Sequence, residues 1–497
     1  MSNVTLRESA VVIIDTSRTT IRAGLGLYDL LRTPSVEVVA RVGLRRPDTS
    51  TNGDSSDHAQ AQLPLPNTKV TDYLVGPQID DAIASGQEVV IFWPFAKGDI
   101  EDWTQAEALW KYVLFNQLQL RRVVMESPII LSILPGLSRN SYERLCQMFF
   151  ERFNVAGFSV LDRPMAQFYS AVSGNDLSGV VVDIGQDNTD ISPIHDGFVV
   201  HPARQTLSYG ITDCERYLAY LLRSNQSVMS NLFPPSETHT PEEVQATLVQ
   251  LARQIWQDNH IKVLAEGEAA DIEEEGVTDI AAVLVAGKEK AVIETGMKKR
   301  MNAKASAAEQ ARAREIEALD LITVQFRGHS LTLGKERHRF CEPLFDTSLL
   351  DSLPDGGGRK RRSTDEFMRP LPTAVGHAVG QIDVDQRQYV WQGLLVTGDI
   401  TNHIKGMGAA LQGRLAPFLL GTQDQSNEVQ PKSIRVLKVP DYFAEYRDKG
   451  DGLASFLGAS IVAKITFTDS TGKNFVSKSD YATNGPRTVL EMSPSLL

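Results

Sequence analysis

The sequence predicts an α/β protein built as two related halves, and three observations carry that expectation. At 497 residues the chain exceeds the size at which a single core keeps growing, so two to four packed units are expected. Short apolar runs alternate with amphipathic helical stretches between residues 88 and 170, as strands layered with helices require. A strand–turn–strand pattern also occurs twice, as VVIIDTSRTTIRAGLG at 11–26 and GVVVDIGQDNTDISPIHDGFVV at 179–200, with Asp15 and Asp183 each placed where a first strand ends. The repetition implies that each half gives one hairpin to a shared cleft.

The first hairpin raises a chemical question. A turn that closes backbone N–H groups around an anion normally uses glycine, which lacks a Cβ and tolerates positive φ; this turn carries Ser17, Arg18 and Thr19 instead. After it comes the Ser-, Asp-, Asn- and Pro-rich stretch 48–68, expected to be an exposed loop. Residues 88–118 read as a buried strand followed by a helix with Trp103, Ala106, Leu109, Trp110 and Val113 at helical spacing. SPIILSIL and FSVLD are short apolar strands on either side of the helix NSYERLCQMFFERF.

Beyond residue 225 the sequence turns helical. THTPEEVQATLVQLARQIW has Thr240 as N-cap, Pro241 at the first helical position, Glu243 to close a capping box, and Val244, Leu248, Leu251 and Ile255 on one face. The acidic and then mixed-charge, Ala-rich segments that follow read as insertion material, part helix and part solvated loop. LITVQFRGHSLTLGKERHRF returns to strands, and a glycine-led loop then carries Arg359, Lys360, Arg361 and Arg362. That basic run is either a solvated loop or a nuclear-import or phosphate-contacting patch.

Composition narrows the class of function. Hydrophobic residues make up 42% and charged residues 23%, values of a globular protein rather than a disordered one. A net charge of −12 argues against a surface that is mainly a nucleic-acid footprint. Cys146, Cys214 and Cys341 are far apart and lack any C-x-x-C or paired-His spacing, so a reducing compartment and no zinc site are expected. No leader-like or membrane-spanning run is read from the sequence, which implies an intracellular protein without membrane attachment.

Four further stretches, LTLGKERHRFCEPLFDTSLL, GQIDVDQRQYVWQGLLVTGDI, ASFLGASIVAKI and FVSKSDYATNGPRTV, resemble successive landmarks of the actin family in their order and spacing. Residues 48–68 and much of 225–320 fall outside the resemblance. Within the family, IRAGLGLYDLLRTPSVEVVARVG together with the SKSDY tail is most similar to the nuclear actin-related protein nine type found in fungal SWI/SNF- and RSC-type chromatin remodellers. The resemblance implies two duplicated α/β domains around a central cleft, in four subdomains. These would be 1–36 with 94–170 and 454–497; 37–93; 171–209 with 371–453; and 210–370.

It also implies an ATP–Mg²⁺ site between the domains, whose working residues carry over one at a time. Asp15 and Asp183 match the two aspartates that hold the metal's water shell, and Arg22 stands where a phosphate-binding lysine is usual. Gly185 is retained in the second turn, although Gln186, Asp187 and Asn188 follow where the family has an aspartate, a glycine and an apolar residue. Gly398 survives from an adenine-side glycine pair whose other member is Thr397, and Lys262 aligns near the base. The family's water-positioning glutamine falls on Arg163, which offers no acceptor for water, and a neighbouring histidine becomes Asp190. In the first turn each added side chain occupies γ-phosphate space, and Arg18 is expected to fill it.

These substitutions lead to the expectation of no catalytic residue, no metal site and at most a weak or vestigial ATP–Mg site. The alternative role for Asp15 and Asp183 is turn capping of backbone N–H groups. The expected function is a non-catalytic scaffold that grips a helix of a remodeller ATPase, pairs with a second nuclear actin-related protein and meets chromatin indirectly. It would reside in the nucleus, touch no membrane and form no filaments. The partner helix is expected against Tyr169, Phe198, Val462, Ile465 and Phe467, with Phe467 as the exposed aromatic anchor. An active nucleotide switch is the alternative; a sugar or acetate kinase shares the two-hairpin fold but lacks the SKSDY and GKERHRF landmarks.

Overall fold

Strands β1 (Val12–Thr16), β7 (Pro128–Ile133) and β8 (Gly157–Asp162) are buried along their whole length, which is why each reads as a mainly apolar run rather than an alternating one. In the computed structural model they form the parallel centre of a six-stranded sheet. The description covers residues 8–28, 31–46, 67–172, 174, 176–235, 238–264, 320–351, 353, 368–419, 433–447, 449–469 and 473–493. β2 (Thr20–Leu25) and β3 (Val36–Val39) extend the sheet on one side and β17 (Val476–Ser477) caps the other, in the order β17-β8-β7-β1-β2-β3. β1 pairs with β2 antiparallel and with β7 parallel, so the carboxyl ends of β1, β7 and β8 lie together at one edge, where sites form in parallel sheets.

Helices cover this sheet. α2 (Trp103–Lys111) starts on Asp102, whose carboxylate accepts from the N–H groups of Thr104 and Gln105. It buries Ala106, Leu109 and Trp110 and continues as a wider turn that buries Val113, as the spacing of these residues requires. α3 (Arg139–Met148) is capped by Ser138. α4 (Arg163–Ala171) packs along a long apolar helix, Ala454–Thr468, which we number α8. Their crossing is tight, for a Cβ on Gly458 would stand 1.6 Å from the Ala166 carbonyl oxygen; only glycine fits. The strand expected at the start of 88–118 forms as β6 (Val89–Phe92), on a small sheet with β4 (Val42–Arg45) and β5 (Leu74–Val75). It is half-buried throughout rather than buried, because it is an edge strand paired only through β4.

A second sheet has the order β11-β10-β9-β15-β16, from β9 (Gly179–Ile184), β10 (Thr189–His195), β11 (Phe198–Val199), β15 (Gly393–Thr397) and β16 (Arg435–Leu437). β12 (Gln205–Leu207) pairs with β10. α5 (Ile211–Leu222) and α7 (Pro241–Gln257) pack together, pinned where the fully buried Glu215 carboxylate accepts from Arg253 at 2.9 and 2.7 Å and from the Trp256 indole at 3.0 Å. The predicted cap of α7 forms as expected, with Thr240 and Glu243 satisfying each other's backbone N–H. β13 (Ile322–Phe326) and β14 (His329–Leu333) make a hairpin through Arg327 and Gly328, both at positive φ, as a two-residue turn of this hand demands.

Contacts divide the protein into two units, one of Met1–Val181, Ser192–Pro202 and Leu437–Leu497 and the other of Val182–Ile191 and Ala203–Val436. The three cysteines are all buried and unpaired. No described helix is long and apolar enough to cross a membrane.

Candidate functional site

The β1–β2 turn is closed by its own side chains. Ser17 Oγ accepts from the N–H groups of Thr20 at 3.0 Å and Thr19 at 3.4 Å and donates to the Thr20 carbonyl, to which Ser17 N–H also donates. Three backbone N–H groups of the turn are therefore engaged within it. Thr16 is buried, its hydroxyl 3.1 Å from the Trp110 indole nitrogen that donates to it. Arg18 reaches out of the turn: Nη1 donates to the Ala96 carbonyl at 3.0 Å, and the guanidinium lies against Gly98, at φ +87°, where a Cβ would meet it at 2.6 Å. The side chain expected to fill phosphate space is bound to the neighbouring Phe95–Gly98 turn.

Asp15, 2% exposed, sits at the end of β1 as the hub of a buried polar cluster. Its Oδ1 accepts from Ser455 at 2.7 Å, Ser132 at 3.1 Å and Arg163 Nε at 3.1 Å. Arg163 is itself 4% exposed, so this is an ion pair removed from water, where it has substance only because hydroxyls complete its hydrogen bonds. These partners are all side chains, whereas a turn-capping aspartate would accept from backbone N–H groups; Ser17 does the capping instead. Arg22, opposite Asp15 on β2, donates to Glu37 at 3.2 Å and to the Gly452 carbonyl at 3.3 Å. Asp15, Arg22 and Glu37 thus form a row of alternating charge across three paired strands.

The second turn is shaped by backbone. Gly185 N–H donates to the Asn188 carbonyl at 2.9 Å, and Ile211 and Thr212 at the start of α5 donate to the carbonyls of Gly185 and Gln186. Gly398 follows β15 at φ +113°, with room for a Cβ only 2.1 Å from the Ile184 carbonyl oxygen, so packing against β9 explains this glycine without any ligand. Asp183 is half-buried, Asp187 exposed, and Asp190 buried with its carboxylate 2.5 Å from the Thr206 hydroxyl. Lys262 donates from its backbone N–H to His338 Nδ1, and its ammonium is 3.5 Å from Asp320. Burial tends to raise the Asp320 carboxyl, but the His338 hydrogen bond and the Arg337 and Lys262 charges hold it down at about 2. Burial and the Arg337 charge push His338 below its ordinary value in spite of Asp320.

The expected partner face is only partly as read from sequence. Phe198 is 47% exposed and Ile465 64%, while Tyr169 is half-buried and burial raises its phenol. Val462 at 8% and Phe467 at 6% are core residues, and Phe467 packs on Phe475 with ring centroids 5.1 Å apart. Phe467 is therefore not an exposed anchor; one helical position separates a solvent-facing Ile465 from a buried Phe467, and sequence periodicity is blurred in a helix apolar on most sides. Arg359 to Arg362 lie outside the described residues, as does most of 48–68 and the insertion 265–319.

Ser132 and Ser455 were missed as site residues. The signal for Ser132 was a lone hydroxyl inside an apolar strand, where a buried polar group needs a partner. Comparison with known proteins agrees with the resemblance: the model of the Actin family matches residues 6–492. The chain is 25% identical to the SWI/SNF and RSC complexes subunit arp9 of Schizosaccharomyces pombe, over 97% of this chain and 98% of that protein. It is also 30% identical to Centractin of Saccharomyces cerevisiae over 33% of this chain and 41% of that protein.

Proposed function

Because the chain belongs to the actin family, we propose that it works as a non-catalytic actin-related subunit of a nuclear chromatin-remodelling complex, an actin fold kept for its binding surfaces. The observation that carries this reading is the first turn, whose N–H groups close on Ser17 and whose aspartate is held by Ser132, Ser455 and Arg163. An ATP–Mg²⁺ group does not fit that half: phosphate oxygens find those N–H groups already engaged, and Arg163 stands where a residue able to accept from water is required. The similarity to a SWI/SNF and RSC subunit along nearly the whole chain supports the choice of complex.

Binding falls to Phe198, Ile465 and Tyr169, which would receive an apolar helix of the remodeller ATPase; a second actin-related protein is the other partner. Exposed aromatic and branched side chains of this kind are typical interface anchors. Ile465→Asp and Phe198→Asp should each abolish co-purification with the remodeller ATPase at unchanged circular dichroism. Normal assembly of both variants would place the partner elsewhere. The enzymatic side is tested by melting the purified protein with Mg²⁺–ATP, since a tightly bound ligand must raise stability by mass action. No rise and no phosphate release are expected; turnover lost in Asp183→Ala would establish the nucleotide-switch alternative, which draws on the glycine kept in the second turn.

A further inference from the structure

Arg163 and Ser455 both donate to one carboxylate oxygen, and each lies at the start of a helix: Arg163 is the first residue of α4 and Ser455 the second of α8. One turn further on, Ala166 and Gly458 are in van der Waals contact, so the two helices leave Asp15 side by side. Tyr169 lies about 9 Å along α4 from Arg163 and Ile465 about 15 Å along α8 from Ser455, at 1.5 Å of rise per residue. Both starting points are therefore fixed to the end of β1 by a single buried group, while the far parts of the helices carry the exposed face.

A buried carboxylate needs a counter-charge. Aspartates matching Asp15 in the family serve a metal's water shell, and here a guanidinium of the chain's own is within 3.1 Å. We propose that Arg163 is an internal substitute for the cation, a positioning residue that neutralises Asp15 and sets α4 and α8 in place without any bound ligand. The assignment rests on the non-catalytic reading and deepens it: the partner face would be held in one arrangement permanently. Planar geometry and a charge that does not titrate suit arginine to a buried pair of this kind. Ser132, whose hydroxyl lies 3.0 Å from that of Ser455 as well as beside Asp15, extends the same hub to β7.

The test is a thermal-melting set on the full chain, with and without 5 mM MgCl₂ and with Mg²⁺–ATP, for the wild type, Arg163→Gln, Arg163→Lys, Asp15→Asn and the double variant Asp15→Asn/Arg163→Gln. Removing either charge alone should lower the melting temperature by about 5 °C or more. The double variant should recover at least half of the summed loss, and Arg163→Lys should melt above Arg163→Gln. MgCl₂ should raise Arg163→Gln alone, and amide exchange in that variant should rise over α4 and the first turns of α8 together. Additive losses in the double variant, or a wild-type melting temperature in Arg163→Gln, would overturn the substitution while leaving the non-catalytic reading intact. A rise in the wild type with Mg²⁺–ATP would instead overturn that reading and the substitution with it.

Discussion

The two strand–turn–strand segments share a plan and are stabilised by different means. In the first, side chains define the turn: Ser17 ties its N–H groups, Arg18 is bound to the Phe95–Gly98 turn, and Asp15 is the centre of a buried cluster. In the second, backbone does so, through Gly185, the carbonyls that start α5, and Gly398 pressed on β9. The difference teaches that a duplicated element can keep its hydrogen-bonded frame while one copy exchanges backbone space for side-chain contacts. Within the turns themselves, the second copy keeps Gly185 where the first has Ser17, Arg18 and Thr19.

On that contrast, the largest effect should come from Asp15→Ala, which takes a buried carboxylate away from the Arg163 guanidinium and from the Ser132 and Ser455 hydroxyls and should cost about 3–5 kcal/mol in denaturant unfolding. Asp183→Ala, at a half-buried position, should cost about 1 kcal/mol or less. Equal losses would erase the distinction. Gly398→Ala comes next: a methyl group 2.1 Å from the Ile184 oxygen at φ +113° should remove about 3 kcal/mol, seen as a lower denaturation midpoint. Ser17→Ala should cost about 1 kcal/mol, the usual value of a lost cap.

Acid should separate the units by the smallest margin. His338 is depressed by burial and by Arg337, so the unfolded chain binds the extra proton first, and stability is lost as pH falls below the ordinary value of 6.5. Asp320, held at about 2, adds a further loss below pH 4, because its depressed carboxyl favours the folded state only while ionised. Amide-exchange protection, taken relative to the intrinsic rate at each pH from 7 to 5, should therefore fall around His260–Lys262 and Lys335–Cys341 before it falls in β1. His338→Gln should remove the first phase.

Much of the frame was legible in the sequence because it rests on local patterns. The apolar runs of β1, β7 and β8, the spaced core positions of α2 and the reciprocal cap of α7 each follow from residues close in the chain. What the sequence did not disclose depends on residues brought together from afar. Asp15, Ser132, Arg163 and Ser455 are separated by up to 440 positions, and nothing near Asp15 distinguishes a metal-facing carboxylate from one paired with an arginine. The misplacement of Phe467 has a related cause: in α8 most faces are covered, so which residue remains outside is decided by what packs beside the helix, here Phe475.

The three buried cysteines have a practical consequence. Burial pushes the thiols of Cys146 and Cys341 up to about 12 and that of Cys214 well above its usual value. Thiolate is the nucleophile, so at neutral pH the native protein should be nearly inert to maleimides and iodoacetamide. A cysteine introduced at exposed Thr468, on the same helix one turn beyond Ile465, would then be the reactive sulfur on a silent background, and a fluorophore attached there would report arrival of the proposed partner without the native thiols having to be removed.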